Sequence, residues 1–167
     1  MEKIILSNKQ ALFLIWNAIL NQSQDAKKTL NNTFELMNRL NLNDNSIDSL
    51  MNLQFYNIVD AISKKPMIHR FYNHMAQYIY SSCVKIKESY MGNPLNVFSC
   101  GSEKEIINRL LDFDGIGQHK AEIAVLVYDV FINKNEMSIS YIEKIIDKCP
   151  AIYNTIDDQL KLLDELN

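Results

Sequence analysis

The sequence predicts an all-α fold. Only four glycines and three prolines occur in 167 residues, too few for the many turns of an all-β protein. Apolar residues recur instead every three or four positions, which is the spacing of one helix face. Hydrophobic residues make up 47% of the chain and charged residues 22%, a composition that favours a buried core. At this length we expect residues 1–167 to form a single domain.

Helix boundaries follow from capping residues and from breaks in the apolar pattern. Ser7 with Gln10, and Ser102 with Glu105, match the capping box that opens a helix. The polar residues 21–24 interrupt two apolar stripes and predict a turn. The predicted helices cover about 11–19, 26–40, 51–62, 67–90, 102–112, 118–131, 140–150 and 155–166.

The longest predicted helix, over 67–90, has a regular apolar face. Gly92 to Pro94 ends this helix. The face repeats every three or four residues and consists of Ile68, Phe71, Met75, Ile79, Cys83, Ile86 and Tyr90. Residues at this spacing are expected to be buried together.

Cysteine usage and hydropathy predict a cytoplasmic protein. The chain has three widely spaced cysteines, Cys83, Cys100 and Cys149, and an odd, scattered set is typical of reduced thiols. The scatter excludes a four-cysteine iron–sulfur or zinc cluster, and the histidines show no metal-ligand spacing. No apolar run approaches the length of a membrane span, and the N-terminus has no signal peptide.

The sequence Gly115-Ile116-Gly117 marks a turn between two helical segments. Glycine permits positive φ and close approach of another backbone there, and Ile116 is expected to point inward. The N–H groups at the start of the second helix have no intrahelical partner and can hold an anion such as a phosphate. An ordinary helical hairpin gives the same pattern, so Gly-x-Gly alone is a weak signal.

A basic, aromatic-rich segment lies between Asp60 and Glu88, where no acidic residue occurs. Its cationic residues and histidines are Lys64, Lys65, His69, Arg70, His74, Lys85 and Lys87. In a chain of net charge −3 and pI near 5.6, such a segment predicts a local nucleic-acid surface. A solvated helix face is the alternative.

These segments together resemble the helix-hairpin-helix/Gly-Pro-Asp (HhH-GPD) superfamily of DNA glycosylases, closest to a small branch without an iron–sulfur cluster. The hairpin would span about 103–131. The segment 19–24 resembles the one whose glutamine fills the gap left by a flipped base, and 71–76 resembles the start of the long helix before the hairpin. The likeness to the small branch rests on 66–71 with Met75 and Ala76, and on 117–121. The match is good over 11–131 and weak over the C-terminal helices, 138–167.

The resemblance implies a set of site residues. The DNA-binding residues would be Gln22, Gly115, Ile116, Gly117, Gln118, His119 and Lys120. A base pocket would include His69, Arg70 and His74. The resemblance also implies that hairpin carbonyls bind an alkali-metal ion in many relatives, and the residues here leave that open. No other cofactor is expected.

The catalytic positions depart from the superfamily pattern. His119 stands where lyase members carry a lysine, with Lys120 one residue and about 100° further round the helix. Asp114 replaces the proline before the first glycine, and its charge would repel a phosphate unless it points away. Ser140 occupies the stretch that normally holds the catalytic aspartate. The nearest acids are Glu136 and Glu143.

Three hypotheses follow. The first is a monomeric DNA N-glycosylase acting on a duplex with a damaged or modified base. There Glu143 or Glu136 would supply the carboxylate that stabilises the sugar cation and activates water, with Lys120 as the third catalytic candidate. The second is a catalytically inactive module that binds abasic or distorted DNA. The third is a helical protein–protein adaptor. Whether the substrate is DNA or RNA, and which base is recognised, stays open.

Overall fold

The computed structural model describes residues 4–42, 48–133, 143–144, 147, 149–150 and 154–166, and no strand occurs among them. The all-α prediction is confirmed. The described helices are α1 (Asn8–Leu20), α2 (Ala26–Arg39), α3 (Asp48–Met51), α4 (Phe55–Ser63), α5 (Tyr72–Ser89), α6 (Leu95–Phe98), α7 (Glu103–Leu111), α8 (Gln118–Asn133) and α9 (Ile156–Glu165).

Helix α1 lies at the centre of the core, where it packs against α2, α5, α6 and α8. Its predicted capping box is confirmed, because Ser7 and Gln10 each accept a hydrogen bond from the other's backbone N–H. Gln10 Nε2 also donates to the Leu163 carbonyl of α9 at 2.7 Å. The indole N–H of the fully buried Trp16 donates to Ser82 Oγ of α5 at 3.0 Å. These polar contacts tie two distant parts of the chain to α1.

The break predicted at 21–24 is confirmed as the turn between α1 and α2. Ser23 in this turn has a φ of +54°. Asp25 then caps α2, with its side chain accepting a hydrogen bond from Lys28 N at 3.0 Å. A serine with positive φ and a capped helix start give the turn a defined shape.

The predicted start of the longest helix is wrong, because α5 begins at Tyr72 and not at residue 67. Residues 64–71 instead form a connecting loop in which Ile68 N donates to Ile62 O at 2.9 Å. This path buries Ile68 but leaves Phe71, predicted to be buried, 46% exposed. The remaining apolar face is buried as predicted at Met75, Ile79, Cys83 and Ile86.

Arg39, at the end of α2, fixes the path of loop 64–71. Its guanidinium donates to three carbonyl oxygens at 2.8–2.9 Å, those of Ala61, Lys64 and Pro66. Asn32 Nδ2, also on α2, donates to Ile68 O at 2.7 Å. The loop is therefore held from the side by α2, through contacts that no local helical pattern reveals.

Two smaller predictions also need correction. The helix predicted over 51–62 begins at Phe55, because Gln54 is the N-cap residue of α4. Gln54 donates one hydrogen bond to Asn57 and accepts another from it. At α7, Ser102 Oγ accepts from Glu105 N at 3.2 Å as predicted. The Glu105 carboxylate, however, pairs with Arg109 at 2.9 Å, so the reciprocal half of that capping box does not form.

The C-terminal predictions are tested only in part. Helix α9 agrees with the helix predicted over 155–166. The helix predicted over 140–150 lies mostly outside the described residues, as do Glu136 and Ser140. The three cysteines are free thiols. Within the part of the chain that the structure describes, no helix has the length and apolar character needed to cross a membrane.

Candidate functional site

The turn between α7 and α8 is shaped by Gly115. Its φ is +85°, and a Cβ at this position would lie 2.7 Å from Cδ2 of Tyr78 on α5. No larger residue fits without displacing the tyrosine ring. Ile116 is buried, as predicted, and its N–H donates to Phe113 O at 3.2 Å. The sequence therefore folds here into the tight hairpin that the glycines predict.

The first turn of α8 offers unpaired amides on the surface. The first N–H bonded along the helix is that of Ala121, which donates to Gly117 O at 3.0 Å. The N–H groups of Gln118, His119 and Lys120 come before this bond and have no carbonyl within the helix to reach. Gly117, Gln118 and His119 are exposed, and a Cβ on Gly117 would meet no atom within 4 Å. An anion can therefore approach these amides closely.

Helix α5 holds the hairpin in place through two contacts. Tyr78 packs against Gly115, and Ser81 Oγ donates to Asp114 Oδ2 at 2.7 Å. The carboxylate of Asp114 thus points toward α5 and is engaged in a structural hydrogen bond. The exposed ring of His74 makes an edge contact with Tyr78, with 5.7 Å between ring centroids.

The turn at Gln22 lies against the loop that precedes α5. His69 Nε2 is 2.8 Å from the Gln22 carbonyl oxygen, and His69 Nδ1 is 3.1 Å from Phe71 N. The His69 side chain is only 1% exposed, and both ring nitrogens are engaged. His69 therefore connects two surface segments, the Gln22 turn and the loop before α5. Gln22 and Arg70, which belong to these segments, are themselves exposed.

Three cations surround this connection. Burial lowers the pKa of His69 most strongly, and the charges of Arg70, Lys120 and Lys28 lower that pKa further, while the hydrogen bond to Gln22 raises it. These cations come from the loop, from α8 and from α2. Positive charge from three different elements therefore acts on His69.

Lys120 is half-buried at the edge of the hairpin. Its Nζ donates to Gly115 O at 3.0 Å, and burial lowers the pKa of its ammonium. A hairpin carbonyl that already contacts this cation is a poor ligand for a second one. The Gly115 carbonyl therefore does not fit the alkali-metal ion that the resemblance implies. Among the residues described, no group of three or more metal-ligating side chains is assembled elsewhere.

An exposed aromatic residue completes the surface. Phe71 is 46% exposed, and the Arg70 guanidinium lies over its ring at 4.6 Å from the centroid. Sequence reasoning placed Phe71 in the core and did not single out Lys28. Pro66 gave no signal for Phe71, because a proline restricts only the residue before it and is favoured at the first position of a helix.

We name this surface the hairpin face. It consists of the Gln22 turn, Lys28, Arg70, Phe71, residues 115–119 and Lys120. It combines unpaired amides, three cations and an exposed aromatic ring, which suits a planar ligand joined to an anion.

Of the two carboxylates predicted to be catalytic, the structure describes only that of Glu143. Glu143 is exposed, and its neighbour Lys144 lines a cavity of about 480 Å³ along α7 and α8. His119 and Glu122 line the same cavity. Glu136 lies outside the described residues.

No family model, curated protein or solved structure matches this chain, so membership of the HhH-GPD superfamily stays a prediction.

Proposed function

We propose that this protein binds duplex DNA at an abasic or distorted site through the hairpin face. The observation that carries the proposal is the contact of buried His69 with both the Gln22 turn and Phe71, together with the positive charge that Lys120 of the hairpin adds at the same imidazole. These segments are separated by tens of residues in the sequence, and each offers a different chemical contact.

Each contact suits a different part of a damaged duplex. The amides of α8 and the cations would hold backbone phosphates without reading a base. Phe71 offers an exposed ring on which a base can stack, with Arg70 adding a cation–π contact. Gln22 would hydrogen-bond in the gap left by a missing or displaced base. A gap lowers the unstacking cost, so an abasic site is the expected preferred target.

The test is the affinity for a duplex containing a stable abasic analogue against the same duplex without it. We expect fluorescence anisotropy to show tighter binding to the abasic duplex and a steep loss of affinity as salt rises. Equal affinity for both duplexes would contradict site recognition. Absence of binding at low salt would favour the helical adaptor.

A second candidate function is cleavage of DNA at an abasic site, the lyase step that follows base excision, and the state of Lys120 favours it. A lysine whose pKa is lowered holds more of its neutral, nucleophilic amine near neutral pH. The neutral amine can keep its bond to Gly115 O and present its lone pair. That amine would add to the C1′ aldehyde of an abasic sugar and lose water, forming a C=N bond.

Borohydride reduction tests the chemistry of Lys120. If the Schiff base forms, reduction leaves a covalent protein–DNA adduct. Lys120→Gln should abolish this adduct, whereas Lys104→Gln, at an exposed position on α7, should retain it. Free-base release from alkylated, deaminated and oxidised duplexes, measured by mass spectrometry, tests glycosylase activity. Loss of release in Glu143→Gln or Glu136→Gln with binding intact would identify the carboxylate. No adduct and no release, with abasic binding retained, would establish a binding module.

A further inference from the structure

His69 makes two hydrogen bonds that together fix its protonation state. The N–H of Phe71 points at Nδ1 over 3.1 Å, so Nδ1 accepts and carries no proton. Among the residues that the structure describes, the one hydrogen-bond partner of Nε2 is the Gln22 carbonyl at 2.8 Å, which is an acceptor, so Nε2 carries the proton. The geometry therefore assigns a neutral Nε2–H imidazole.

We propose that neutral His69 is the positioning residue of the hairpin face, coupling the Gln22 turn to Phe71 so that both are presented together only while the ring is uncharged. The role in DNA recognition rests on the proposed function above. The coupling itself rests only on the two hydrogen bonds.

Protonation would break one of these bonds. A proton on Nδ1 turns the acceptor into a donor facing the Phe71 N–H, and two donors cannot bond to each other. The start of α5 would then lose its link to the ring, although Nε2 could still donate to Gln22. Phe71 also touches the imidazole directly, with 5.7 Å between the ring centroids, so its position depends on the ring in two ways.

The charged groups around His69 oppose its protonation. Lys28 from α2, Arg70 from the loop and Lys120 from α8 all repel a charged ring, and burial acts in the same direction. The pKa of His69 is accordingly lowered from its ordinary value. The coupling is therefore complete at neutral pH and is lost as the pH falls through that lowered pKa.

The first test needs no DNA. In an NMR titration of the wild-type protein from about pH 7.5 to about pH 4.5, ¹⁵N shifts of the ring should report the Nε2–H tautomer. The amide signals of Gln22 and Phe71 should then move with one shared midpoint, on the acid side of the ordinary histidine pKa. His69→Gln should abolish this shared titration, whereas His74→Gln, at an exposed site on α5, should keep it. The Nδ1–H tautomer, or separate midpoints for the two amides, would overturn the coupling.

The second test separates the coupling from the proposed function. Wild-type affinity for the abasic-analogue duplex should fall about tenfold over the same pH range, whereas His69→Gln should bind more weakly at neutral pH and should lose this tenfold fall. An unchanged pH profile in His69→Gln would overturn the positioning role. If the two amides titrate together but no DNA binds at any pH, the coupling is confirmed and the proposed function is wrong.

Discussion

At the scale of single residues, the two glycines of the hairpin differ in what surrounds them. Gly115 combines a φ of +85° with a tyrosine ring 2.7 Å from the position of a Cβ, whereas a Cβ on Gly117 would meet nothing within 4 Å. The first glycine is required by the fold. The second leaves open space beside exposed amides, which matters only when something binds there.

Substituting Gly115 tests the structural half of this distinction. Gly115→Ala should destabilise the protein by about 1–3 kcal/mol, because the positive φ is strained for alanine and Tyr78 must shift. Urea unfolding followed by circular dichroism measures the change. An unaltered free energy of unfolding would show that the hairpin has another conformation.

Substituting Gly117 tests the binding half. Gly117→Ala should change the free energy of unfolding by less than about 1 kcal/mol but weaken binding to the abasic duplex about tenfold, because the methyl group stands beside the α8 amides. The matched control is Gly101→Ala, where a Cβ also meets nothing within 4 Å and which precedes α7, away from the hairpin turn. Equal loss of affinity in both variants would argue against a role for the amides.

At the scale of elements, loop 64–71 owes its path to α2. The loop carries Arg70 and Phe71, and Arg39 binds three of the carbonyls in and before it. Arg39 also pairs with Glu35 at 2.8 Å, a partner one turn earlier on the same helix. The guanidinium therefore has two separable functions, an ion pair and a cap for backbone carbonyls.

Arg39→Met should destabilise the protein by about 1.5–3 kcal/mol, because carbonyls that accepted charged hydrogen bonds lose their partner. Glu35→Gln removes the ion-pair charge alone and should cost less than about 1 kcal/mol, since Glu35 is 47% exposed. Urea unfolding of both variants provides the comparison. Similar costs in the two variants would assign the stabilisation to the ion pair and not to the loop.

The elements show where sequence reasoning succeeds and where it stops. The Ser7 cap and the break at 21–24 depend on neighbours within a few residues, so they were predicted correctly. The start of α5 depends on Arg39, which is 27 residues before Pro66. Ile68 is buried, as a helical pattern predicts, although its backbone is not helical. At α7 the Glu105 carboxylate that the capping box needs forms an ion pair with Arg109 instead.

At the scale of the whole molecule, a chain of net charge −3 concentrates cations at one surface. Lys28, Arg70 and Lys120 all act on His69, although they lie on three different elements. Sequence patterns identified Gln22 and the hairpin separately, through a family resemblance. The contact of the Gln22 turn with His69, and the contribution of Lys28, follow from tertiary packing and were not predictable from local spacing.

This arrangement predicts how affinity responds to salt. Replacing Lys28 by Gln should reduce the slope of log K against log salt by about 0.9, the change expected for one lost phosphate contact. Lys87→Gln, an exposed cation in the last turn of α5, should leave the slope unchanged. Binding isotherms at several salt concentrations measure both slopes. A larger effect of Lys87 would place the DNA elsewhere on the molecule.

The most direct test of the central claim is to map the DNA-binding surface by amide chemical shifts. Titrating the ¹⁵N-labelled protein with the abasic-analogue duplex should shift the signals of Gln22, Phe71 and Gly117 together, with one shared affinity, and leave those of α9 in place. Shifts confined to α9, or to the cavity along α7 and α8, would contradict the hairpin face as the site of binding.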